Sequence, residues 1–135
     1  MEKILVAIDG SEPSFRALEH AAKLANALGI VLTVLIVKEF VVGRKNVLVV
    51  LNDDEIAAIQ NQANEIILNA GEPKTNMLVE TSRDAAFTIV DVAIEREMDL
   101  IVVGASGKGG FKSLLLGSVS QEILRKSACP VTIVH

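Results

Sequence analysis

The stretch Asp99–Ala128, DLIVVGASGKGGFKSLLLGSVSQEILRKSA, constrains the chain more than any other. It opens with Leu100–Val103, an apolar run of strand length rich in β-branched residues. Four glycines follow closely, at Gly104, Gly107, Gly109 and Gly110. Then Leu115, Val119, Ile123 and Leu124 recur at three- and four-residue spacing, the mark of one helix face. The order is buried strand, glycine-rich loop, helix start, and that order builds a place for an anion. The first turn of a helix carries N–H groups without internal partners and a partial positive charge. Glycines let the backbone come close where a Cβ would hold a phosphate off. Lys108 and Lys112 add positive charge, and Ser106, Ser113, Ser118 and Ser120 add hydroxyls. A plain surface turn needs one or two glycines and this loop has four, which favours the phosphate reading.

Two familiar nucleotide patterns fail on this loop. A Walker loop needs Gly-Lys-Ser/Thr, but Phe111 precedes Lys112 and Ser113. A dinucleotide fingerprint counted from Gly107 meets Lys112 where its third glycine belongs. The spacing present is Gly104, two residues, Gly107, nine residues, Gly117-Ser118. This resembles the phosphate and ribose motif of the ATP-binding subgroup of the universal stress protein family. The resemblance continues through LLLGSVSQEIL and CPVTIV and extends over nearly the whole chain.

The remaining residues alternate strand and helix signals. KILVAI (Lys3–Ile8) is a short apolar strand. Asp9-Gly10-Ser11 breaks it, and Ser11 is suited to cap a helix running to about Leu28, with Phe15, Leu18, Ala22 and Ala25 inward and Gly29 as its stop. His20 falls off that face and reads as solvated. Residues 30–37 form a second apolar strand. Asn52 or Asp53 caps a second helix with Ile56, Ile59, Ala63, Ile66 and Ile67 on one side. Asn76–Glu80 reads as a third strand, Ser82 as the start of a third helix with Phe87, Val90 and Ile94, and Pro130–Val134 as a fifth strand. Between the second strand and second helix, FVVGRKNVLVVLNDDE (Phe40–Glu55) fits three forms: a short extra strand, an early helix start, or a flap.

Strand–helix alternation predicts an α/β, doubly wound, Rossmann-like parallel sheet of five strands with helices on both faces. Half the residues are hydrophobic while Trp and Tyr are absent, so the apolar mass is aliphatic, as such a twice-covered sheet requires. At 135 residues the expectation is one universal stress protein domain over positions 1–135. A net charge of −4, with no basic block and no aromatic stacking set, argues against nucleic acid as partner. The sequence shows neither a signal peptide nor an apolar run of membrane length, and the expected compartment is the cytoplasm. Cys129 is the single cysteine and reads as a structural thiol.

The resemblance implies the adenine nucleotide α-hydrolase-like strand order 3-2-1-4-5, which sets the end of strand one beside the end of strand four. It implies a bound adenine nucleotide, ATP or else AMP or ADP, with Mg²⁺ accompanying it. Asp9 would meet ribose or the metal, and Val37 would meet adenine through its backbone. Gly104, Ser106, Gly107 and Lys108 would line the phosphates. Gly117, Ser118 and Ser120 would donate to phosphate oxygens, with Ala7 and Val119 completing the contacts. For Asp9 an ordinary capping role before the first helix stays open. The implied role is a nucleotide-dependent regulatory or stress-response module, with an interaction-only member or a slow ATPase as alternatives. Loss of Gly107 or Gly117 would have favoured the interaction-only form, and both are present. No residue beyond Asp9 suggests itself for activating water. Strand five, Val131-Thr132-Ile133-Val134, carries no charge and forms a sheet edge in that order, which predicts a homodimer through it.

Overall fold

A computed structural model describes residues 1–49, 51–105 and 116–135. Strand β1 is Lys3–Ile8, with Ile4, Leu5, Val6 and Ile8 buried and Lys3 and Ala7 half-buried. Helix α1 (Glu12–Leu28) starts where the Ser11 side chain accepts the Ser14 N–H, and it ends at Gly29, whose φ of 66° places it in the left-handed region. Strand β2 runs Val31–Val42, well past the predicted end at residue 37. Strand β3 (Val47–Val49) pairs antiparallel with the far end of β2, Val41 opposite Leu48. Of the three forms open for Phe40–Glu55, the chain therefore adopts an extra strand, a hairpin turning through Gly43–Asn46.

Helix α2 (Asp53–Asn69) is capped by Asn52 rather than Asp53, in a reciprocal box with Glu55. Strand β4 spans Thr75–Ser82. Helix α3 (Ala85–Glu95) begins three residues later than predicted, because Asp84 and not Ser82 accepts the Phe87 N–H, at 3.1 Å. The Ser82 hydroxyl instead donates to the Asp84 carbonyl and accepts its N–H, closing the turn ahead of the helix. Strand β5 (Leu100–Gly104), helix α4 (Ser118–Lys126) and strand β6 (Val131–Val134) complete the chain.

Five strands pair in parallel in the order β4-β2-β1-β5-β6, the predicted 3-2-1-4-5 once β3 takes its place in the count. The hairpin makes the sheet six-stranded and mixed. Alternation along β1 sorts the core into two layers. Ile4, Val6 and Ile8 pack with Leu18, Ala22 and Ala25 of α1 and Ile56, Ile59 and Ala63 of α2. Leu5 faces the other way, onto Ile89, Val90 and Ala93 of α3 and Ile123 of α4. The central strands β1 and β5 are thus covered on both faces.

Two predicted helix faces need correction. Phe87 and Ile94 are 59% and 57% exposed, and the inner face of α3 belongs to Ala85, Ala86, Ile89, Val90, Val92 and Ala93. In α4 the buried side chains are Ser120 and Ile123, while Val119 and Leu124 lie outward. An apolar residue every third or fourth position fits more than one stripe, and the small alanines let α3 sit close to the sheet. Leu115 lies outside the described residues.

The main-chain N–H groups of Glu2 and Lys3 both donate to Asp99 Oδ2, at 2.7 and 3.0 Å, tying β1 to the start of β5. These bonds hold the Asp99 carboxyl below the usual carboxylate range. A depressed folded-state pKa gives stability that is present above the unfolded value and lost as pH falls through the folded one, below about pH 4. Among the described residues no helix is long and apolar enough to cross a membrane.

The corrected face of α4 is testable by urea denaturation. Ile123, fully buried, should cost about 2–5 kcal/mol when replaced by Ala, and Leu124→Ala less than about 1 kcal/mol. Equal losses would restore the predicted stripe.

Candidate functional site

Parallel sheets present a crevice beyond their C-terminal strand ends where the winding direction reverses. Here that point lies between β1 and β5, from which the chain winds outward to β2 on one side and to β6 on the other. Gly104 ends β5 against the first turn of α1. A Cβ on Gly104 would stand 2.8 Å from both the carbonyl carbon and the oxygen of Pro13. Backbone cannot yield as a flexible side chain can, so only glycine allows α1 to begin so close to β5.

That contact holds the Asp9–Ser14 turn at the crevice. Asp9 Oδ1 accepts the Ser11 N–H at 2.9 Å, and Gly10 turns the chain with φ 86°. The buried Ser14 hydroxyl accepts the Asp9 N–H at 3.3 Å and donates to the Ser11 carbonyl at 2.8 Å. Ser14 is the residue that sequence reasoning passed over. Its signal was the polar pattern Asp-Gly-Ser-Glu-Pro-Ser at the end of an apolar strand. Asp9 does take part in the helix-start turn, as the capping alternative required, and it remains half-buried at the strand end.

The β5–α4 connection is fixed at both described ends. The Ala105 N–H donates to the Val134 carbonyl at 2.9 Å, and the Ala105 carbonyl accepts the Gly117 N–H at 2.7 Å. Helices α1, α2 and α3 each have a side-chain cap at the start, from Ser11, Asn52 and Asp84. Helix α4 starts at Gly117 with no side-chain cap. Its first turn, Ser118, Val119 and Ser120, precedes the first intrahelical bond from the Gln121 N–H to the Gly117 carbonyl. The Ser120 hydroxyl is buried and donates to the Gly104 carbonyl at 2.8 Å, so it joins α4 to the end of β5. Ser118, by contrast, is exposed.

Val37 lies on β2 at the same end. The Val31 N–H donates to Glu2, next to β1, and the Leu32 N–H to Lys74, next to β4. Successive residues turn their backbone groups to opposite neighbours, so odd-numbered residues face β1. Val37 thus directs its main chain toward β1 just where β1 ends, its last pair being Ile8 with Ile36. The Val37 side chain is buried among α3-side residues. Ala7 packs at the margin of that same layer. The structure therefore brings Ala7, Asp9, Val37, Gly104, Gly117, Ser118, Val119 and Ser120 to one end of the sheet. Ser106, Gly107 and Lys108 lie outside the described residues.

An open groove of about 520 Å³ lies elsewhere, lined by Ile67, Leu68, Pro73, Thr75 and Met77 at the opposite end of β4. It shares no residue with the crevice. Among the described residues no group of three or more His, Cys, Asp or Glu side chains could hold a metal ion. Asp9 at the strand end could supply one carboxylate to a cation whose other ligands came from a phosphate chain.

The fold is an α/β doubly wound sheet with a crevice at its switch point, beyond the strand ends. The chain belongs to the universal stress protein family, whose model matches residues 1–135. It is 36% identical to universal stress protein YxiE of Bacillus subtilis, over 98% of both chains. It is 30% identical to universal stress protein MJ0531 of Methanocaldococcus jannaschii, over 98% of this chain and 81% of that one. Among solved structures, universal stress protein UspA from Lactobacillus plantarum superposes with a TM-score of 0.84 at 23% identity, over 99% and 97% of the two chains. A universal stress protein in complex with cAMP gives 0.78 at 28% identity, over 99% and 96%.

The Gly104 contact yields a stability prediction separate from any ligand. Gly104→Ala should lower stability by about 1–3 kcal/mol in urea denaturation, through displacement of α1. Unchanged stability would mean that α1 does not need this approach.

Proposed function

We propose that the protein binds an adenine nucleotide in the β1–β5 crevice and serves as a nucleotide-dependent regulatory module. The observation that carries the proposal is the start of α4 at Gly117, which among the described residues receives no side-chain cap, beside the end of β5. Unpartnered N–H groups and a positive dipole end favour a phosphate there. The relative solved with cAMP supports an adenine ligand. In this reading Asp9 takes ribose or Mg²⁺, the Val37 main chain reads adenine, and Ala7 and Val119 complete the wall. Gly104, Ser106, Gly107 and Lys108 line the phosphates, with Gly117, Ser118 and Ser120 on the far side. The Ser120 hydroxyl already serves Gly104, so its contribution comes from the backbone N–H. ATP with Mg²⁺ is the preferred form, residues 1–135 act as one domain, and the compartment is the cytoplasm.

Gly117→Asp separates binding from folding. An aspartate at that position caps its own helix and fills the anion site with a carboxylate. Calorimetry should find ATP affinity reduced at least about tenfold, a change of ~1.4 kcal/mol, with the melting temperature unchanged or raised. Millimolar ATP without measurable heat for the unaltered chain, or equal affinity for both, would reject the assignment. GTP should compete poorly, because a main-chain reader set for adenine meets the wrong donor and acceptor on guanine.

We further propose a homodimer through Val131, Thr132, Ile133 and Val134. The Ile101 N–H donates to the Pro130 carbonyl and the Ala105 N–H to the Val134 carbonyl. By alternation Thr132 also turns inward, and Val131 and Ile133 turn their backbone groups outward. Ile133→Pro should therefore give a folded protein of half the native mass by light scattering, whereas Thr132→Pro should break the internal ladder and destabilise the fold. A folded Ile133→Pro variant that keeps the native mass would exclude this edge.

A further inference from the structure

The hairpin of β2 and β3 accounts for none of the crevice chemistry, yet it carries the most exposed aliphatic surface on the sheet. Val41, Val42, Val47 and Leu48 are 56%, 53%, 59% and 62% exposed. Valine and leucine left in water on both faces of a two-stranded ribbon are an unusual feature of a surface arm. The Gly43 N–H donates to the Asn46 carbonyl at 2.8 Å, which fixes the hydrogen-bonding parity of the hairpin. Leu48 turns its backbone toward β2, and Val47 and Val49 turn theirs away from it. Among the described residues β3 pairs with β2 alone, so the arm presents a ladder edge as well as apolar side chains.

Charge is distributed along the arm with opposite signs at its two ends. Arg44 and Lys45 form the exposed tip. Asp53, Asp54 and Glu55 open α2, and the 3.2 Å ion pair of Lys38 with Asp53 fixes that acidic turn at the foot of the arm. A ribbon basic at its tip and acidic at its foot is complementary to its own copy laid antiparallel beside it.

We propose that this hairpin is an interface with a second copy of the chain, β3 pairing antiparallel with β3 of the partner about a two-fold axis at Leu48. Val47 then exchanges hydrogen bonds with Val49 of the partner subunit, and the two Leu48 side chains meet at the axis. The tip of each arm reaches the foot of the other, which brings Arg44 and Lys45 to the acidic start of the partner's α2. An anionic membrane surface would also attract the tip, but it would repel the three carboxylates at the foot and leave the ladder edge unpaired. This interface is separate from the β6 edge.

The central pair supplies the test. Two residues opposite each other in a non-hydrogen-bonded antiparallel pair have Cα atoms about 4.5 Å apart, within reach of a disulfide. In a Cys129→Ser background, Leu48→Cys should oxidise to a covalent dimer at least about a hundredfold faster than Leu68→Cys, because paired thiols act at millimolar effective concentration. Leu68 is 57% exposed on α2 and serves as the control of similar accessibility. Reversing the tip with Arg44→Glu and Lys45→Glu should halve the mass of the native assembly by light scattering, and adding Asp54→Lys should return it towards the original value. These residues are exposed, so the far-UV spectrum should not move. Equal cross-linking rates for Leu48→Cys and Leu68→Cys, or an unchanged mass on charge reversal, would overturn the proposal. So would hairpin variants that alter only binding to phosphatidylserine vesicles. Ile133→Pro affects the β6 edge alone, so failure of one interface is distinguishable from failure of the other.

Discussion

The approach of α1 to the end of β5 underlies the rest of the structure. It depends on the missing Cβ of Gly104, which leaves room for the Pro13 backbone. Once α1 starts there, Asp9 cannot lie elsewhere than at the strand ends, held by Ser11 and Ser14. The same glycine offers its carbonyl to Ser120, so the start of α4 is tied to the point where α1 is packed. One small residue thereby fixes two helix starts relative to each other across the centre of the sheet.

This coupling gives Gly104 a reason to be glycine that has nothing to do with a ligand. The sequence reading assigned it to a phosphate cradle, since a glycine after a buried strand serves close approach of any kind. Ser120 shows the same ambiguity: a hydroxyl in the first turn of a helix reads as a phosphate donor, yet burial here sends it to a carbonyl. Packing and binding draw on the same residue types at a switch point. Separating them requires variants whose effects on stability and on affinity differ.

The two layers of the core explain why the fold tolerates a hairpin of exposed aliphatics at one corner. Ile4, Val6 and Ile8 on one face and Leu5 on the other are covered by helices before β2 leaves the sheet. Past Glu39, the last residue of β2 paired with β4, the strand continues with β3 as its one strand partner among the described residues. Burial therefore constrains the first part of β2 and leaves the second part free to serve a surface role.

The amino-acid sequence by itself determined the alternation of strands and helices, the aliphatic core and the family. Each of these rests on local patterning: apolar runs of strand length, caps such as Ser11, and stops such as Gly29. The identity of the capping residue was less legible where several candidates stood together, as with Asn52 beside Asp53, or Ser82 beside Asp84. Helix faces were legible where large residues alternated with charges, as in α2, and misread in α3, where alanines form the buried stripe and Phe87 lies outside. Tertiary structure alone decided the Phe40–Val49 hairpin, the Pro13–Gly104 contact and the outward direction of Ile133, because all three depend on which chain segments lie side by side. Local propensity is written residue by residue. Register and close approach arise only when distant segments meet, and one step of register turns every backbone group to the other side.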